Sequence, residues 1–505
     1  MYSAYLKQNT EVFTMHNTTF SPIEQVSLFN LQESSLDTAI SATYGNELVD
    51  DGYIVIKSGI GSFRQTATPK VYKIIKDFGT RTKPRKVEKE IIKLEGTLKT
   101  YNPSVEYHCP HCGTLLYGNG DVSFTLAHIP FGSSYTKLVI SRHRLRCKNC
   151  SYTYTFTADF KADGHLITEP LETFIRDLLF QGLILKEVAG IAGVNESTVK
   201  DIDKKRLQEK LTVNGEGKEL IKPDRKAKFL GIDEFLLHDG RKYATVIIDL
   251  ETGHVLYLAY SKKKQVVYDF MNFVGDEWMR NVKAVASDMN ADYGDAFKER
   301  YPDICVVYDH FHIVKNFNEK VINAVKKDEV NRLTEEGDFE AANLLKGSKY
   351  VLMSNRSTLL QKDRNARHGK VLAKASVLFN KPEITQKGGN RKYYKEILQK
   401  NELLFTADLI KEKLRHAYEA DTELKMKRRI NDIIRICVAT DNKHFLWFSK
   451  LLLKHYDGII AHATYNISTG KVEGTNNMIK TLRRKSYGYP DDEYFFLKIM
   501  DASGR

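Results

Sequence analysis

The sequence predicts a multidomain α/β protein, in which two small N-terminal modules precede a larger α/β domain with an all-helical insertion. Three observations support this prediction: two Cys-x-x-Cys pairs, a helical pattern with a turn after them, and an alternation of strand-like and helical segments from residue 228 onward. The length of 505 residues gives about three domains at roughly 150 residues per domain.

Composition and charge narrow the class of protein. Lys and Arg number 77 against 64 Asp and Glu, which gives a formal charge of +13 and a pI near 9.1. This balance favours a polyanionic partner, nucleic acid before an anionic membrane. The sequence contains no run of about 18 apolar residues, so no transmembrane helix is predicted. Its N-terminus lacks the pattern of a signal peptide. Six cysteines are too few for a disulfide scaffold, so we expect a cytoplasmic protein that does not bind membranes.

The four cysteines of the two pairs are predicted to bind one structural zinc ion. Two Cys-x-x-Cys pairs can place four thiolates around a tetrahedral ion, and soft sulfur ligands suit Zn²⁺. Strand-like runs between the pairs predict an extended hairpin, and Gly113 allows a tight turn after the first pair. We predict a zinc ribbon over residues 101–158, with unrelated buried thiols or a redox pair as the alternative. The ligands would be Cys109, Cys112, Cys147 and Cys150.

Residues 165–212 show the pattern of a helix-turn-helix. Gly193 falls at the turn, where a positive φ is commonly required. Apolar residues at helical spacing are predicted to pack the two helices together: Val188, Ile191, Val194, Val199 and Ile202. The exposed face of the second helix is predicted to contact DNA, and a plain helical hairpin is the alternative. The DNA-binding candidates on or beside this face are Thr198, Lys200, Lys204, Lys205 and Arg206.

Residues 1–100 contain no recognisable motif, and we assign them no role. Within them, residues 81–99 are basic and are predicted to be partly helical. Phosphate binding and an ordinary solvated face would explain this charge equally well.

From residue 228 the pattern indicates three strands, a helix, a strand, a helix, a strand and a helix. The first two strands flank Asp239-Gly240, which is a hairpin signal. This order is that of a ribonuclease-H-like fold, which we assign to residues 226–320 and 462–505 as the catalytic domain. Residues 321–461 have a mostly helical pattern and are predicted to form an insertion in that fold.

Two acidic residues are expected to meet at one edge of this sheet. The first two strands form a hairpin, so Asp249 leaves at the end opposite to Asp233. The fourth strand returns parallel to the first after a helical crossover, so Asp288, which follows it, emerges near Asp233. Two carboxylates that meet repel one another unless a cation lies between them, and hard oxygen ligands suit Mg²⁺ or Mn²⁺. Two such ions, about 3.5–4 Å apart, can drive phosphodiester chemistry, and a third carboxylate is needed to hold the second ion.

A helical segment over residues 468–485 is expected to supply that third carboxylate as Glu473. Polar residues at helical spacing share its face, so an amide and a lysine would lie beside the metal ligand. The residues of this face that are expected to contact a phosphate, a base or the DNA backbone are Asn477 (or Asn476), Lys480, Arg483 and Arg484.

With these pieces in order, the chain resembles the ISL3 family of bacterial insertion-sequence transposases over roughly residues 105–500. The matching segments are the two cysteine pairs, the helix-turn-helix, and residues 231–235, 287–293, 309–315, 472–480 and 484–488. The resemblance implies a transposase of the DDE type, named after its Asp, Asp and Glu metal ligands, here Asp233, Asp288 and Glu473.

The resemblance also implies how such a bacterial enzyme works. It would bind the terminal inverted repeats of its own element, cut at the element ends with two Mg²⁺ or Mn²⁺ ions, and join the 3′-OH to target DNA. The partner is therefore double-stranded DNA, at the nucleoid. Two ends must be held together, so a homodimer or a larger assembly is expected in the DNA complex.

The identity of the second metal ligand is open at this stage, because Asp309 also follows a strand. Asp309 and His312 form an Asp-x-x-His pattern like one that accompanies the triad in related transposases. We favour Asp288 as the ligand, with Asp309 and His312 in supporting roles near the site. The alternative for the pair is helix capping by Asp309 and a surface histidine.

Two other functions also remain open. The chain would be a DNA-binding regulator if its transposase scaffold were inactive, or a metal-dependent nuclease of the same fold if it cut DNA without joining it. The presence of all three acids argues against an inactive site.

Overall fold

A computed structural model describes residues 58–77, 85–238, 242–289, 291–367, 389–486 and 488–504. The predicted hairpin turn at Asp239-Gly240 and most of the motif-free N-terminal region lie outside these residues. The chain divides into two compact units, Met1–Gln208 and Glu209–Arg505, which are described separately.

The first unit contains a six-stranded sheet. Its strands are β1 (Phe63–Gln65), β2 (Lys70–Asp77), β3 (Lys86–Leu98), β4 (Leu116–Phe131), β5 (Ser134–Cys147) and β6 (Thr153–Thr155). β4 and β5 pair antiparallel and form the extended hairpin that was predicted between the cysteine pairs. β3 pairs parallel with β5 on one side and antiparallel with β2 on the other.

The prediction of partial helix within residues 81–99 was wrong, because residues 86–98 form strand β3. Ile92, Leu94 and Leu98 are buried in the core of the sheet. They recur at even spacing, so they lie on one face of a strand, where β-branched and apolar residues pack well. The lysines and glutamates of β3 lie at exposed or half-buried positions.

Three helices complete this unit: α1 (Glu169–Phe180), α2 (Leu185–Ala192) and α3 (Glu196–Leu211). Thr168 caps α1 by accepting a hydrogen bond from the Leu171 amide. Gly193 has φ +71° and ends α2 in the left-handed conformation that was predicted for the turn. The prediction that Ile191 packs between the helices was wrong, since its side chain is 41% exposed and Ala192 is buried in its place.

The second unit is built on a five-stranded sheet with the order β11-β10-β7-β8-β9. The strands are β7 (Phe229–His238), β8 (Lys242–Asp249), β9 (Val255–Ala259), β10 (Ala284–Ser287) and β11 (Cys305–Tyr308). β7, β8 and β9 are antiparallel neighbours, whereas β10 runs parallel to β7 and β11 parallel to β10. Asp249 pairs with Leu230, so it lies toward the end of β7 opposite to Asp233, as expected.

Helices cover both faces of this sheet. The helices that follow β9 and β10 are α4 (Gln265–Val274), α5 (Asp276–Met279) and α6 (Ala291–Arg300). On one face Leu230 and Ile232 of β7 pack against Phe270 of α4 and Phe297 of α6. The opposite face of β7 contacts a helix that comes from much later in the chain, residues 470–485.

A large helical region connects β11 to that helix. It contains α7 (His310–Asn316), a π-helical turn (Phe317–Ile322), α8 (Asn323–Glu335), α9 (Phe339–Lys346), α10 (Lys349–Met353), α11 (Arg356–Arg367), α12 (Asn390–Lys400), α13 (Glu402–Tyr418), α14 (Glu423–Ala439), α15 (Lys443–Lys454), α16 (Tyr456–Ile460) and α17 (His462–Tyr465). Phe317, Ile410 and Phe448 are fully buried in its core. The chain then forms α18 (Gly470–Lys485) and α19 (Asp492–Ala502). Within the described ranges, none of the helices has the length and apolar character needed to cross a bilayer.

Candidate functional site

Three aspartates lie at one level of the second sheet. In the parallel pair of β10 and β7, Ser287 is opposite Ile232, so the next residues, Asp288 and Asp233, are at the same level. In the pair of β10 and β11, Ser287 is opposite Tyr308, so Asp309 follows at that level too. Neighbouring strands are about 4.8 Å apart. Asp288 therefore lies beside Asp233, and Asp309 lies one strand further away.

The carboxylate of Asp233 is half-buried and is held by two hydrogen bonds. The Glu234 amide donates to its Oδ1 at 2.8 Å, and the Asn476 side-chain amide donates to its Oδ2 at 2.7 Å. Burial raises the pKa of Asp233, and the negative charge of Asp288 raises it further, whereas the Glu234 amide and the nearby His312 lower it. The two acids thus repel one another across the strand pair.

Helix α18 is fixed against β7 at the level of these acids. A Cβ on Gly231 would lie 2.5 Å from Cγ2 of Val472, so the helix approaches as closely as it does only because residue 231 is glycine. One turn further along α18, Asn476 reaches Asp233. Glu473 precedes Asn476 by three residues, lies in the first turn of the helix and is exposed.

The other polar residues of α18 differ in their surroundings. The amide that contacts Asp233 belongs to Asn476, whereas Asn477 is exposed and its carbonyl accepts a hydrogen bond from Thr481. Lys480 and Arg484 are exposed. Arg483, which was predicted to bind DNA, instead donates to the backbone carbonyls of Leu236 and Leu237 in β7. Its guanidinium is thus used to hold α18 on the sheet.

Asp309 is only 5% exposed, and both of its oxygens are occupied. Oδ1 accepts a hydrogen bond from the Phe311 amide and so caps α7, and Oδ2 accepts from the amide and the hydroxyl of Thr469, the residue just before α18. Burial acts to raise the pKa of Asp309, but these hydrogen bonds outweigh it, and the pKa lies below its ordinary value. Asp309 therefore joins the start of α7 to the start of α18. His312, on α7, is half-buried.

A polar cluster that the sequence did not reveal lies beneath the acids, on the opposite face of β7. Tyr293 is 1% exposed. Its hydroxyl donates to Oε1 of Glu234 at 3.1 Å and lies 2.9 Å from Oγ1 of Thr245. Burial raises the pKa of this tyrosine. The position of Glu234, directly after Asp233 in a strand, was the available signal, since consecutive side chains point to opposite faces.

The donor set around Asp233 suits a hard divalent cation. It combines neighbouring carboxylates that repel one another with a buried amide oxygen, Oδ1 of Asn476, which has no hydrogen-bond partner among the described residues. Asp233, Asp288 and Glu473 are nevertheless less tightly grouped than the cysteines. In the part of the chain that the structure describes, only the cysteine group brings three or more His, Cys, Asp or Glu ligand atoms all within 4.8 Å of one another.

The four cysteines of the first unit form that compact group. The Sγ atoms of Cys109 and Cys150 are 3.4 Å apart, and those of Cys112 and Cys147 are 3.5 Å apart. A tetrahedral ion with bonds of about 2.3 Å requires sulfur atoms about 3.8 Å apart, so the geometry is compatible with zinc. All four are free thiols. The residue after each pair, Gly113 or Ser151, has a positive φ, which turns the chain back toward the cluster.

The predicted DNA-binding residues of α3 lie at or near the surface. Lys205 is exposed, and Thr198, Lys200 and Lys204 are half-buried. Arg206 differs from the prediction, because it forms an ion pair of 2.8 Å with the fully buried Asp203. Its side chain is 13% exposed, so it stabilises α3 internally.

Comparisons with known proteins identify the family. The model of the ISL3 family of DDE transposases, described as "Transposase", matches residues 230–499. The transposase for insertion sequence element IS1001 of Bordetella parapertussis is 28% identical over 366 residues, which is 72% of this chain and 80% of that protein. The transposase for insertion sequence element IS1557 of Mycobacterium tuberculosis is 23% identical over 279 residues, 52% of this chain and 56% of that protein. The family match spans the sheet, all three candidate acids and α18, and the chain therefore belongs to the ISL3 family of DDE transposases.

Proposed function

We propose that this transposase binds the terminal inverted repeats of its insertion sequence and carries out metal-dependent strand cleavage and strand transfer. The observation that carries the proposal is the alignment of Asp233 with Asp288 beneath α18, the helix that bears Glu473. The strand order, with three antiparallel strands followed by two parallel ones on the far side of β7, supports a ribonuclease-H-like core.

Asp233, Asp288 and Glu473 are the proposed metal ligands, for Mg²⁺ or Mn²⁺. When bound, two such ions activate the attacking oxygen of water or a 3′-OH and stabilise the leaving oxygen of the phosphodiester. The protein fixes the Asp233 carboxylate for this task through the Glu234 amide and Asn476. Asn476 belongs to the helix that bears Glu473, so the same contact sets the position of the third acid.

Asp288 is a better second ligand than Asp309. Asp288 lies one strand from Asp233, and its charge already acts on that carboxylate. Both oxygens of Asp309 accept hydrogen bonds from the starts of α7 and α18. We therefore assign Asp309 a positioning role. His312, which acts to lower the pKa of both Asp233 and Asp309, is assigned to the surroundings of the site.

The first unit supplies the proposed contacts to the element ends. Zn²⁺ held by the four cysteines would fix the two knuckles at the end of the β4–β5 hairpin. The exposed side of α3 would enter the major groove of a helix-turn-helix site, with Lys205 and its neighbours near the phosphates. Exposed Lys480 and Arg484 of α18 would contact the DNA that is being cut. We place this activity at the bacterial nucleoid.

The test is cleavage and joining of labelled DNA that carries the element's own end, with Mg²⁺ or Mn²⁺. We expect Asp233→Asn, Asp288→Asn and Glu473→Gln to bind this DNA normally and to lose both reactions by several orders of magnitude. Asp303→Asn, which changes an exposed acid just before β11, is the control and should remain active.

Each alternative function predicts a different result. Binding by the native protein without cleavage under any metal condition would indicate a regulator, and cleavage without joining would indicate a nuclease. If Asp288→Asn still cuts DNA, the assignment of the second ligand is wrong. Light scattering of the protein bound to two end fragments would test the expected dimer or larger assembly.

A further inference from the structure

Lysines of the first unit gather on one face of the sheet formed by β2, β3 and β5. Tyr72 of β2 is opposite Ile91 of β3, which is opposite Tyr135 of β5, so these three side chains point to the same side. Residues at even spacing from them share that side. They include four lysines that we call the lysine face: Lys76, Lys89, Lys93 and Lys137.

The cations of the lysine face are crowded. The Nζ atoms of Lys76 and Lys89 lie 4.7 Å and 5.7 Å from the centre of the Tyr135 ring, and that of Lys93 lies 4.3 Å from the Tyr72 ring. Burial lowers the pKa of Lys76, and the positive charges of Lys137 and Lys89 lower it further. Like charges held this close favour binding of an anion from outside.

The acidic residues of the antiparallel strands β2 and β3 neutralise little of the positive charge of the lysine face. Glu95, on the same side of β3, pairs with Lys70 at 2.8 Å, at the far end of β2 from Lys76. Glu88 lies on the opposite side and pairs there with Lys73 at 2.9 Å. The two sides of one hairpin therefore differ in net charge.

The lysine face adjoins the turn of the predicted helix-turn-helix. The Tyr135 hydroxyl donates to the Gly190 carbonyl of α2 at 2.6 Å. A Cβ on Gly193, at the turn between α2 and α3, would lie 2.5 Å from the Tyr135 ring. The tyrosine that two of the lysines surround is thus in contact with the last turn of α2 and with the residue that ends this helix. A duplex bound by α3 would have its backbone within reach of long lysine side chains here.

We propose that the lysine face binds the phosphodiester backbone of duplex DNA beside the segment that α3 contacts. The proposal rests on the proposed function, since it requires the first unit to bind the element end. It adds the β2–β3 hairpin, which lies outside the matched family region of residues 230–499, to the DNA-binding surface.

The experiment compares two pairs of substitutions in the full-length protein. Lys89→Gln with Lys137→Gln removes two charges from the lysine face, and Lys73→Gln with Lys86→Gln removes two from the opposite side of the same sheet. The affinity for element-end DNA is measured over a range of salt concentrations, and thermal unfolding and zinc content check that both variants are folded.

Each phosphate contact contributes about 0.9 to the slope of log K against log salt concentration. We expect the two lysine-face substitutions to make the slope less steep by about 1.8 and to weaken binding at 0.1 M salt at least tenfold. The two substitutions on the opposite side should change neither quantity substantially. Lys89→Arg with Lys137→Arg keeps the charge and should retain the native slope, which separates loss of charge from disturbed folding.

Equal effects of the two glutamine pairs, or weaker binding with an unchanged slope, would overturn the proposal. So would a loss of affinity for single-stranded RNA without a loss for the duplex, because the face would then bind a different polyanion. If the native protein did not bind element-end DNA at all, the proposed function would fail as well. If the native protein binds element-end DNA and the Lys89→Gln, Lys137→Gln variant binds it with the same affinity and the same salt slope, the role of the lysine face is refuted while the proposed function stands.

Discussion

The close approach of α18 to β7 at Gly231 can be tested by adding a single methyl group. In Gly231→Ala the new Cβ would lie 2.5 Å from Val472 Cγ2, 2.8 Å from Leu250 Cδ2 and 3.2 Å from Ile248 Cγ1. All three neighbours are buried or nearly so, and a separation under 3 Å forces one of them to move. Overpacking of this kind costs about 1–3 kcal/mol.

The expected consequence is a loss of both stability and chemistry. Relief of the Val472 contact requires α18 to move away from β7, which lengthens the hydrogen bond between Asn476 and Asp233 and displaces Glu473. We expect cleavage of element-end DNA to fall at least a hundredfold, because displacements of about 1 Å can have that effect on catalysis. Binding to the end, assigned to the first unit, should be unchanged.

The matched control is Gly347→Ala, since Gly347 has a negative φ and no atom within 4 Å of the added Cβ. A second substitution identifies the clashing partner. Val472→Ala removes the Cγ2 atom, so Gly231→Ala with Val472→Ala should be more stable than the sum of the single changes predicts, by about 0.5–3 kcal/mol in a double-mutant cycle. Measurement by denaturant unfolding of all four proteins would decide this. A stable, fully active Gly231→Ala variant, or additive single changes, would refute the packing argument.

Three further predictions concern single residues. Because burial raises the folded-state pKa of Asp233 above its unfolded value, the stability that this acid contributes should be largest below the unfolded pKa and be lost as pH rises through the folded-state pKa, which denaturant unfolding at several pH values would show. Excess Mg²⁺, which stabilises a site by about 2.7 kcal/mol at a hundred times Kd, should raise the melting temperature of the native protein and not that of Asp233→Asn. Asp309→Asn should cost about 1–3 kcal/mol by leaving a Thr469 donor unpaired. The native protein should be more stable than Asp309→Asn by the full amount above the unfolded pKa of an aspartate, and this difference should disappear as pH falls through the lowered folded-state pKa of Asp309. Denaturant unfolding at several pH values would show this. Ser151→Gly should stabilise the first unit by about 1 kcal/mol, because Ser151 has φ +59° and glycine adopts this conformation at no steric cost; an unchanged melting temperature would contradict this.

Much of the catalytic sheet was predictable because its pattern is local. Runs of apolar residues mark the strands, and the right-handed parallel crossover places Asp288 beside Asp233 from the order of the elements alone. The hairpin between the cysteine pairs follows in the same way from alternating strand-like segments. These inferences need only the spacing of apolar residues along the sequence and the handedness of the connections between strands.

The sequence could not distinguish residues whose roles depend on contacts between distant segments. Asn476 and Asn477 are equivalent in a helical pattern, and only the packing of Val472 on Gly231 turns Asn476 toward Asp233. Arg483 likewise resembles a DNA-binding cation in the sequence, and its contacts with β7 are what show its structural role.

The distinction between Asp288 and Asp309 shows what such contacts add. Both follow a parallel strand, and the register puts both at one level of the sheet, so strand position alone does not separate them. The two carboxylates differ in their interactions. Asp309 accepts hydrogen bonds from the starts of two helices, one of them 160 residues away in the chain, and its pKa is lowered. Asp288 raises the pKa of Asp233 through its negative charge. Asp309 therefore holds the start of α18, the helix that bears Glu473, while the charge of Asp288 on Asp233 supports our proposal that Asp288 is the second metal ligand.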